Sequence, residues 1–504
     1  MKTFALVTLF LLFGFHSVTA QNITGKVIDS ESGESIPYAN ILVNNSENLI
    51  TNAEGFFTIS ENSSENDVSL TVSYLGYVST KVKVGDLKNK ALTIKLKPAV
   101  FELESVNTTK PDPNVIMATV RKNLAVNYKK PETPTKKTFF MRQATVFTPK
   151  KFNVEITKST GFTKKQLQSV NGDLKKFTGT MVAHPPQEFT DRLGHDYNSS
   201  KVKDGKTIPT QKVEIVKATK LKDESRSTSF DDLEETAGKI FLQHLDTTKY
   251  YRIKSGLFGS RDTVSLRKDF KKKKSKTVKN NLTASKSALQ YFMLQSDFQH
   301  GTTLNFVKQP DLYEYKYEGA IYSNDNEFVY VLQFKPKKSK AKFTGKIYVS
   351  ETDYAIVRID YQLAEGKTLG GINLKLLLGV KASENVSSGT LIYKKSTELE
   401  TYFLQYASVE SGQYFYLHRP LKFIELAESD KDVVAFDLKV EGNTVDKTEY
   451  LAINNTTLPQ TAFEQVNEAD FNYIFLKKYD PSIWKDYSAI EPLEEMKRFE
   501  VASE

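Results

Sequence analysis

Residues 21–60 read QNITGKVIDSESGESIPYANILVNNSENLITNAEGFFTIS, and this stretch decides the fold class of the chain. Short apolar runs alternate with polar residues and are separated by turns rich in Gly, Asn, Ser and Pro. In the turn from Thr51 to Gly55 we expect Gly55 to take a positive φ. Further runs of the same kind continue to Leu96. Strands of this length and spacing predict an antiparallel β-sandwich over residues 21–98.

Four motifs inside this region carry a family resemblance. They are Gly25-x-Val27-x-Asp29, Ile36-Pro37-x-Ala39-Asn40-Ile41, Asn52-x-x-Gly55-x-Phe57 and Tyr74-x-Gly76-Tyr77. The region resembles the carboxypeptidase regulatory-like domain, which implies a seven-stranded prealbumin-like sandwich common in envelope proteins of Bacteroidetes-type bacteria. The resemblance implies an interaction module without zinc ligands, and residues 21–98 contain no histidine.

The first 20 residues predict export. Lys2 precedes an apolar run from Phe4 to Phe15, and Val18-Thr19-Ala20 offers small residues before a cleavage site at Gln21. That run is shorter than the roughly 20 apolar residues that span a bilayer. The chain has no cysteine, which excludes disulfides, thiolate metal sites, cysteine nucleophiles and a lipobox. We expect an exported protein, periplasmic or outer-membrane associated, without a transmembrane helix.

The formal net charge of the chain is +9. In an exported protein this charge indicates a solvated basic surface, or attraction to anionic lipid or polysaccharide, and not a nucleic-acid partner. The densest patch, Lys271–Lys274 with Lys268, Lys276 and Lys279, lacks the interleaved aromatic rings of a single-strand binder apart from Phe270. The sequence leaves the oligomeric state open.

The remainder of the chain predicts one large β domain, so that the protein is mainly β. After a linker at residues 99–112, Asp112 and Pro113 begin a helix whose apolar residues recur every four positions up to Tyr128. From Thr138 onward, β-branched and aromatic runs predict a series of strands, among them Thr138–Phe147, Phe152–Thr157 and Ile372–Leu378. We expect a large antiparallel curved sheet or open half-barrel at residues 113–460, with one or few helices. Residues 461–504 form a C-terminal tail with Trp484 and a short helix.

Aromatic residues alternate with polar ones along two of these runs. Tyr313, Tyr315 and Tyr317 occupy one face of the first run, and Tyr330 lies in the second. Such a stripe is either part of a packed core or the wall of a ligand cavity. We treat these tyrosines, together with the single tryptophan, Trp484, as candidate contacts for a ligand or partner. Trp484 is alternatively an anchor that docks the tail.

Two segments of the second region resemble envelope proteins. Phe343–Ser350 followed by Asp353-Tyr354-Ala355-Ile356 resembles a hairpin of an envelope family of unknown function, and the tail from Asp480 to Tyr487 is similar to the same family. The region is also similar to the half-barrel of outer-membrane lipoprotein carriers, in which a helix lies against a concave face that holds acyl chains. This resemblance implies that the helix from Asn114 to Tyr128 is such a lid.

The chain lacks a recognisable catalytic constellation. It contains neither His-x-x-x-His nor Gly-x-Ser-x-Gly, and the spacing of His184 and His195 is not diagnostic of a metal site. The acids of Asp231–Glu235 are typical of a helix start. Gly205-Lys206-Thr207 and Gly366-Lys367-Thr368 lack the first glycine of a phosphate-binding loop. We therefore expect no catalytic, metal or cofactor site.

Three functions remain open. The leading hypothesis is an exported non-enzymatic envelope protein that binds an envelope protein, lipid or glycan through its curved β domain, with the sandwich as an interaction module. A periplasmic hydrolase acting on peptide or glycan requires His184, His195 and acidic residues to meet in one cleft. A structural or adhesion component presents a flat apolar patch instead of a pocket.

Overall fold

The computed structural model describes residues 23–60, 68–86, 92–99, 110–160, 162–203, 206–222, 250–255, 258–265, 280–299, 304–322, 327–426, 428 and 433–499. The sequence features at residues 1–20, 205, 231–235, 244, 268–279 and 300 lie outside them. The chain divides into two compact units. The sandwich unit contains the described parts of residues 23–74 and 78–98 together with Asp480–Leu493. The large-sheet unit contains the described parts of residues 75–77, 99–479 and 494–499.

The N-terminal region is the expected sandwich. Its described strands are β1 (Ile23–Asp29), β2 (Asn40–Val43), β3 (Glu47–Ile50), β4 (Phe56–Ile59), β5 (Ser69–Ser73), β6 (Tyr77–Val78), β7 (Thr80–Lys83) and β8 (Leu92–Pro98). One sheet has the order β4-β1-β8-β6 and the other β3-β2-β5-β7. The predicted sandwich is confirmed, but it is not wholly antiparallel, because β1 and β8 pair in parallel. Its described part has eight strands where we expected seven, and the shortest of them, β6, has two residues.

Alternation along the strands explains why two sheets pack face to face. In β8, Leu92, Ile94 and Leu96 point inward and are buried, whereas the intervening residues are exposed. Gly25 in β1 is required by this packing, because a Cβ atom there would lie 2.4 Å from the ring of Phe57. Gly55 has a φ of +82°, which confirms the expected turn conformation.

The large-sheet unit contains one open sheet. Its described strands are β9 (Thr135–Ser159), β10 (Gln187–Lys203), β11 (Lys206–Lys222), β12 (Tyr250–Ser255), β13 (Phe258–Ser265), β14 (Tyr313–Tyr322), β15 (Phe328–Pro336), β16 (Phe343–Ser350), β17 (Ile356–Leu363), β18 (Gly371–Leu374), β19 (Val380–Lys395), β20 (Tyr402–Glu425), β21 (Val433–Thr457) and β22 (Ile474–Leu476). The order of the main path is β14-β15-β16-β17-β19-β20-β21-β9-β10-β11-β22. Described pairs are antiparallel except β11 with β22. The sheet does not close, which confirms the predicted open architecture.

Six α-helices accompany the two units within the described residues. They are α1 (Pro113–Asn127), α2 (Lys164–Ala183), α3 (Asn281–Gln295), α4 (Lys375–Leu378), α5 (Gln460–Gln465) and α6 (Glu494–Lys497). The predicted start of α1 is confirmed, because the Asp112 carboxylate accepts a hydrogen bond from the Asn114 backbone amide at 2.8 Å. In the part of the chain that the structure describes, none of the helices has the length and hydropathy needed to span a bilayer.

The main core of the large-sheet unit lies between one face of the sheet and the helices α1 and α3. The helices contribute Ile116, Met117, Val120, Leu124, Leu282, Leu289 and Phe292, and the sheet contributes Phe139, Leu332, Phe334, Ile347, Ile359 and Tyr450. Each such side chain stabilises the fold by roughly 1.5–3 kcal/mol on burial. The helix α2 packs separately, with Val170 and Leu174 against Ile156 of β9 and Val434 of β21.

Candidate functional site

One end of the tyrosine stripe of β14 lies inside the main core. The other end lies at the margin of that core. Tyr313 and Tyr315 are only 2% and 6% exposed, whereas Tyr317 and Tyr330 are half-buried. Phe306, from the chain segment between α3 and β14, stacks on Phe334 with 4.3 Å between the ring centroids. The covering segment therefore fills the space above the buried end of the stripe.

Hydrogen bonds fasten this covering segment to the buried tyrosines. The Tyr313 hydroxyl donates to the side chain of Asn305 at 2.8 Å, and the Tyr315 hydroxyl donates to the backbone carbonyl of Phe306. Burial raises the pKa of Tyr315 to about 12, so its hydroxyl remains a donor at neutral pH. Both buried hydroxyls are thus used within the fold, and the buried end of the stripe acts as core.

The predicted lid helix, α1, lies on the same face and is held by the turn between β16 and β17. The side-chain amides of Asn123 and Asn127 donate to the backbone carbonyl of Asp353 at 3.1 and 2.9 Å. Tyr128, at the end of the helix, donates to the carbonyl of Ile356 at 2.7 Å. This turn joins β16 and β17, so the hairpin of these two strands has a definite structural role in holding the helix.

The Asp353 carboxylate attaches the same turn to neighbouring strands of the sheet. It accepts hydrogen bonds from the Tyr402 hydroxyl at 3.0 Å and from Lys395 Nζ at 3.1 Å. Partial burial would raise the pKa of Asp353, but the hydrogen bonds from Ser350, Lys395 and Tyr402 outweigh it and lower the pKa. Asp353 therefore remains ionised and links the turn to β19 and β20.

The accessible end of the stripe forms a small aromatic rim, which we define as Tyr317, Tyr330 and Tyr354. The ring of Tyr330 lies 6.2 Å from that of Tyr317 and 6.3 Å from that of Tyr354. Its hydroxyl donates to the exposed carboxylate of Glu351 at 2.9 Å. Burial and Glu351 raise the pKa of Tyr330. The rim combines half-buried ring faces with a carboxylate, so it is the part of the stripe that can contact another molecule.

Trp484 belongs to the sandwich unit, whereas the tyrosine stripe belongs to the large-sheet unit. It ends a short 3₁₀-helix, Pro481–Trp484, which begins with Asp480 accepting a hydrogen bond from the Ser482 backbone amide at 2.9 Å. Its side chain is 4% exposed. This placement agrees with the anchoring alternative that the sequence left open for the tail.

The sandwich unit contains a contact that sequence reasoning missed. The side-chain amide of Asn52 donates to the backbone carbonyl of Pro492 at 3.2 Å, and Thr58 donates to the carboxylate of Glu491. Farther along the same segment, the Ser488 hydroxyl donates to Glu47. The stretch Asp480–Leu493, which is irregular after its 3₁₀-helix, is thus bound along the sandwich. No local pattern signals this contact, because its partners are more than 400 residues apart in sequence.

The candidate histidines of a hydrolase are not assembled into a cleft by the described residues. His184 is exposed and follows the end of α2, whereas His195 lies within β10 beside the Thr138 hydroxyl, with Nδ1 and Oγ1 3.2 Å apart. Burial, followed by the Lys136 charge, lowers the pKa of His195. Within the described part of the chain, no three or more His, Asp or Glu side chains gather as metal ligands. His244, His300 and Asp231–Glu235 lie outside that part.

A buried ion pair crosses the sheet between β9 and β10. The Arg142 guanidinium binds the Asp191 carboxylate in a bidentate manner, with distances of 2.8 and 2.7 Å. Burial would lower the pKa of Arg142, but the charges of Asp191 and Glu449 outweigh it and raise the pKa. Glu449 in turn accepts a hydrogen bond from the Tyr406 hydroxyl at 3.1 Å. This network satisfies its own charges and is a structural element of the sheet.

The comparisons with known proteins bear on the sandwich. The family model of the CarboxypepD_reg-like domain matches residues 23–108. No curated protein and no solved structure shows significant similarity to the chain. The match supports the identification of the N-terminal sandwich as a carboxypeptidase regulatory-like domain, a class that suggests binding or interaction. It does not extend to the large sheet.

Proposed function

We propose that this protein is an exported, non-enzymatic binding protein of the bacterial cell envelope, located in the periplasm or at the outer membrane. The carboxypeptidase regulatory-like sandwich is its interaction module. The large open sheet binds a lipid or an envelope protein. The envelope setting rests on the signal-like residues 1–20 and on the resemblances of both regions to envelope proteins, including those of Bacteroidetes-type bacteria.

The observation that carries the proposal is the bound segment of the sandwich unit. Asn52 and Thr58 of the sandwich hold Pro492 and Glu491 through one backbone and one side-chain acceptor. The bound stretch, residues 488–493, has no regular secondary structure, so the sandwich holds an irregular length of polypeptide. A surface with this capacity suits a module whose task is to hold other chains.

The aromatic rim supports a second binding surface, on the large-sheet unit. Tyr317, Tyr330 and Tyr354 present half-buried rings next to Glu351. Rings in this state bury further apolar area on contact with an acyl chain, a sugar face or an apolar side chain. The buried tyrosines Tyr313 and Tyr315 are committed to the core by their hydrogen bonds to Asn305 and Phe306.

Native mass spectrometry of the mature protein, purified gently from its own envelope, tests the proposal. We expect a stoichiometric added mass, either in the lipid range or from an envelope protein. Tyr330→Ala should reduce the occupancy of a rim ligand, whereas the matched control Tyr313→Phe should not, because Tyr313 is buried. The proposal would be contradicted if the wild-type protein showed only the mass of its own chain and also turned over peptide or glycan substrates. That result would favour the hydrolase.

Export is tested separately. The mature chain should begin at Gln21 and should be recovered from the envelope fraction of the native organism. Intact Met1 in a soluble internal fraction would overturn the exported location without bearing on the binding surfaces.

A further inference from the structure

One hairpin of the large-sheet unit exposes its apolar side chains. Strand β18 (Gly371–Leu374) pairs with the start of β19, with Leu374 opposite Val380, and the single helical turn α4 (Lys375–Leu378) joins the two strands. We call residues 369–378 the apolar tip. Gly379 allows the chain to leave α4, because its φ is +65° and a Cβ there would lie 2.1 Å from the carbonyl oxygen of His418.

The exposure of this tip is extreme for aliphatic residues. Leu376 is 104% exposed, Leu377 71%, Ile372 55% and Leu374 40%. Residues 371–377 are all exposed. Burying one such side chain is worth a factor of roughly 10–100 in an equilibrium constant. A cluster of them left in water marks a surface that becomes covered in use.

Lysines surround the apolar tip. Lys375 Nζ lies 4.2 Å from the ring centroid of Tyr416, and Lys381 Nζ lies 5.4 Å from that of Tyr414. From Gly366 to Ser383 the sequence contains Lys367, Lys375 and Lys381 but no acidic residue.

Acidic groups of the neighbouring strands lie beside this layer of lysines and tyrosines. Glu441 lies opposite Tyr416 and accepts a hydrogen bond from the Tyr414 hydroxyl at 3.0 Å. Asp437 is paired at 2.9 Å with His418, whose backbone amide donates to the Gly379 carbonyl. Glu384 pairs its backbone with Gly370. Glu441 and Asp437 are therefore engaged by polar groups of β20, whereas the hairpin itself carries lysines next to its leucines.

We propose that the apolar tip inserts into the interfacial region of an anionic lipid bilayer. Leu376 and Leu377 enter the acyl boundary, while Lys375 and Lys381 remain at the level of the phosphates. Tyr414 and Tyr416 lie where amphipathic rings favour the interface. The inference deepens the proposed function by naming a membrane surface as partner of the large-sheet unit, and it rests on that function only for access to a membrane.

The size of the tip favours a bilayer over a protein partner. A stable protein interface covers roughly 800 Å² on each side and has a well-packed centre. Ten residues on one hairpin are fewer than the roughly 20–30 that each side of such an interface contributes, and they include no aromatic anchor. Insertion into lipid needs only a few apolar side chains and a basic flank.

Vesicle flotation with the mature full-length chain tests the inference. The probes are phosphatidylcholine vesicles with and without phosphatidylglycerol. The tip variant is Leu376→Gln/Leu377→Gln. The matched control is Val126→Gln/Leu294→Gln, which replaces two apolar residues, 72% and 56% exposed, on α1 and α3 of the same unit. All these positions are exposed, so thermal unfolding should be unchanged in both variants.

We expect the wild-type chain and the control to float with anionic vesicles, and the partition coefficient of the tip variant to fall at least roughly tenfold. Lys375→Gln/Lys381→Gln should weaken binding to anionic vesicles and leave binding to neutral ones unchanged.

Three results would overturn the inference. They are a wild-type chain that does not float, a tip variant that floats as well as the control, and a wild-type dimer that the tip variant alone converts to a monomer. The last result would assign the tip to self-association. Native mass spectrometry separates these results from failure of the proposed function. If the chain still carries its lipid or envelope protein, only the inference about the tip has failed.

Discussion

The side-chain amide of Asn127, in the last turn of α1, donates to the backbone carbonyl of Asp353 at 2.9 Å. The two residues are 226 positions apart. The bond joins the covering helix to the turn between two adjacent strands of the sheet, and Asn123 reaches the same carbonyl one helical turn earlier at 3.1 Å. One acceptor thus serves two donors on a single face of the helix, since residues four apart lie together on a helix.

This sharing predicts that the two asparagines compensate for each other. Either Asn123→Ala or Asn127→Ala leaves the Asp353 carbonyl with one donor, so each should lower the free energy of unfolding by about 0.5–1.5 kcal/mol. The double variant removes both donors and should cost more than the sum of the single variants. Chemical denaturation of the large-sheet unit, followed by near-ultraviolet circular dichroism of its tyrosines, measures the difference.

Lys122→Ala is the control for this cycle, because Lys122 lies on the exposed side of α1 and should change stability little. Strict additivity of the two asparagine variants would show that the shared carbonyl is not the link between helix and sheet.

Acid sensitivity of the large-sheet unit should depend on the Asp353 carboxylate. Its pKa is lowered in the folded state by hydrogen bonds from Ser350, Lys395 and Tyr402, against the opposing effect of burial. The folded state therefore binds the proton less tightly than the unfolded chain, in which an aspartate has a pKa of about 3.9. The resulting stabilisation is fully present above that pH and is lost as the pH falls through the folded pKa.

Asp353→Asn keeps the backbone acceptor, and it removes the charge together with one of the two side-chain oxygens that accept hydrogen bonds. The wild type should be more stable than this variant at neutral pH, and the difference should shrink below about pH 3.9. Unfolding curves at a series of pH values measure it. A difference that stays constant down to strong acid would contradict the assigned role of the carboxylate.

The buried pair of Arg142 and Asp191 predicts a large penalty when one partner is lost. Asp191→Asn leaves Arg142 without its bidentate partner and should cost about 3–5 kcal/mol. Arg142→Met should cost more, because it leaves the Asp191 carboxylate buried without its cation and leaves Glu449 with Lys447 alone, 3.9 Å away. Equilibrium denaturation of both variants, with hydrogen exchange in β9 and β10, checks the order.

The double variant Arg142→Met/Asp191→Leu is the matched control. It removes both charges together and should be less harmful than Arg142→Met alone. If the double variant is as unstable as the sum of the single ones, the pair is not coupled as the geometry indicates.

The parts of the fold that local pattern controls could be predicted from sequence. The sandwich follows from period-two runs and turn residues, and α1 follows from its cap at Asp112 and its apolar repeat. The runs Thr138–Phe147 and Phe152–Thr157 are one strand, β9, because polar residues such as Lys150 are tolerated on a partly exposed face. The strand expected at Ile372–Leu378 was wrong in its second half, where the chain forms the helical turn α4 within the apolar tip.

Two long helices escaped prediction for different reasons. In α2, the residues Leu167, Val170, Leu174, Phe177 and Met181 have helical spacing, so the signal was present but was obscured by lysines and by two glycines. Helix α3 has no clear amphipathic period, because apolar residues such as Tyr291 and Leu294 also occur on its exposed side. Only packing against the sheet determines which of its faces is buried.

The candidate contact residues differ in how deeply they are packed. The alternating sequence pattern cannot reveal this difference. Tyr313 and Tyr317 have the same spacing from their polar neighbours, yet one lies under Phe306 and the other lies at the rim. The covering segment that distinguishes them comes from elsewhere in the chain. The packing of Trp484 depends equally on a distant partner, the sandwich. A role of these residues in ligand contact stays a prediction.

Asn52 gives the sharpest test of the bound segment in the sandwich unit. Its side-chain oxygen accepts hydrogen bonds from the backbone amides of Glu54 and Phe56, both at 2.9 Å, and its side-chain nitrogen donates to the carbonyl of Pro492. Asn52→Asp preserves the two accepted bonds that shape the turn. It replaces the donor by a carboxylate oxygen facing a carbonyl, so it should release the segment without unfolding the sandwich.

The single tryptophan reports the outcome directly, because Trp484 lies in the same segment and is buried. We expect Asn52→Asp to shift its fluorescence to longer wavelength and to increase hydrogen exchange across Asp480–Leu493, while exchange in β1 and β8 stays slow. Thr93→Val is the control, because Thr93 is exposed on β8 and takes no part in the described hydrogen bonds that Asn52, Thr58 and Glu47 form with the segment. Unchanged Trp484 emission in Asn52→Asp would mean that packing alone holds the segment on the sandwich.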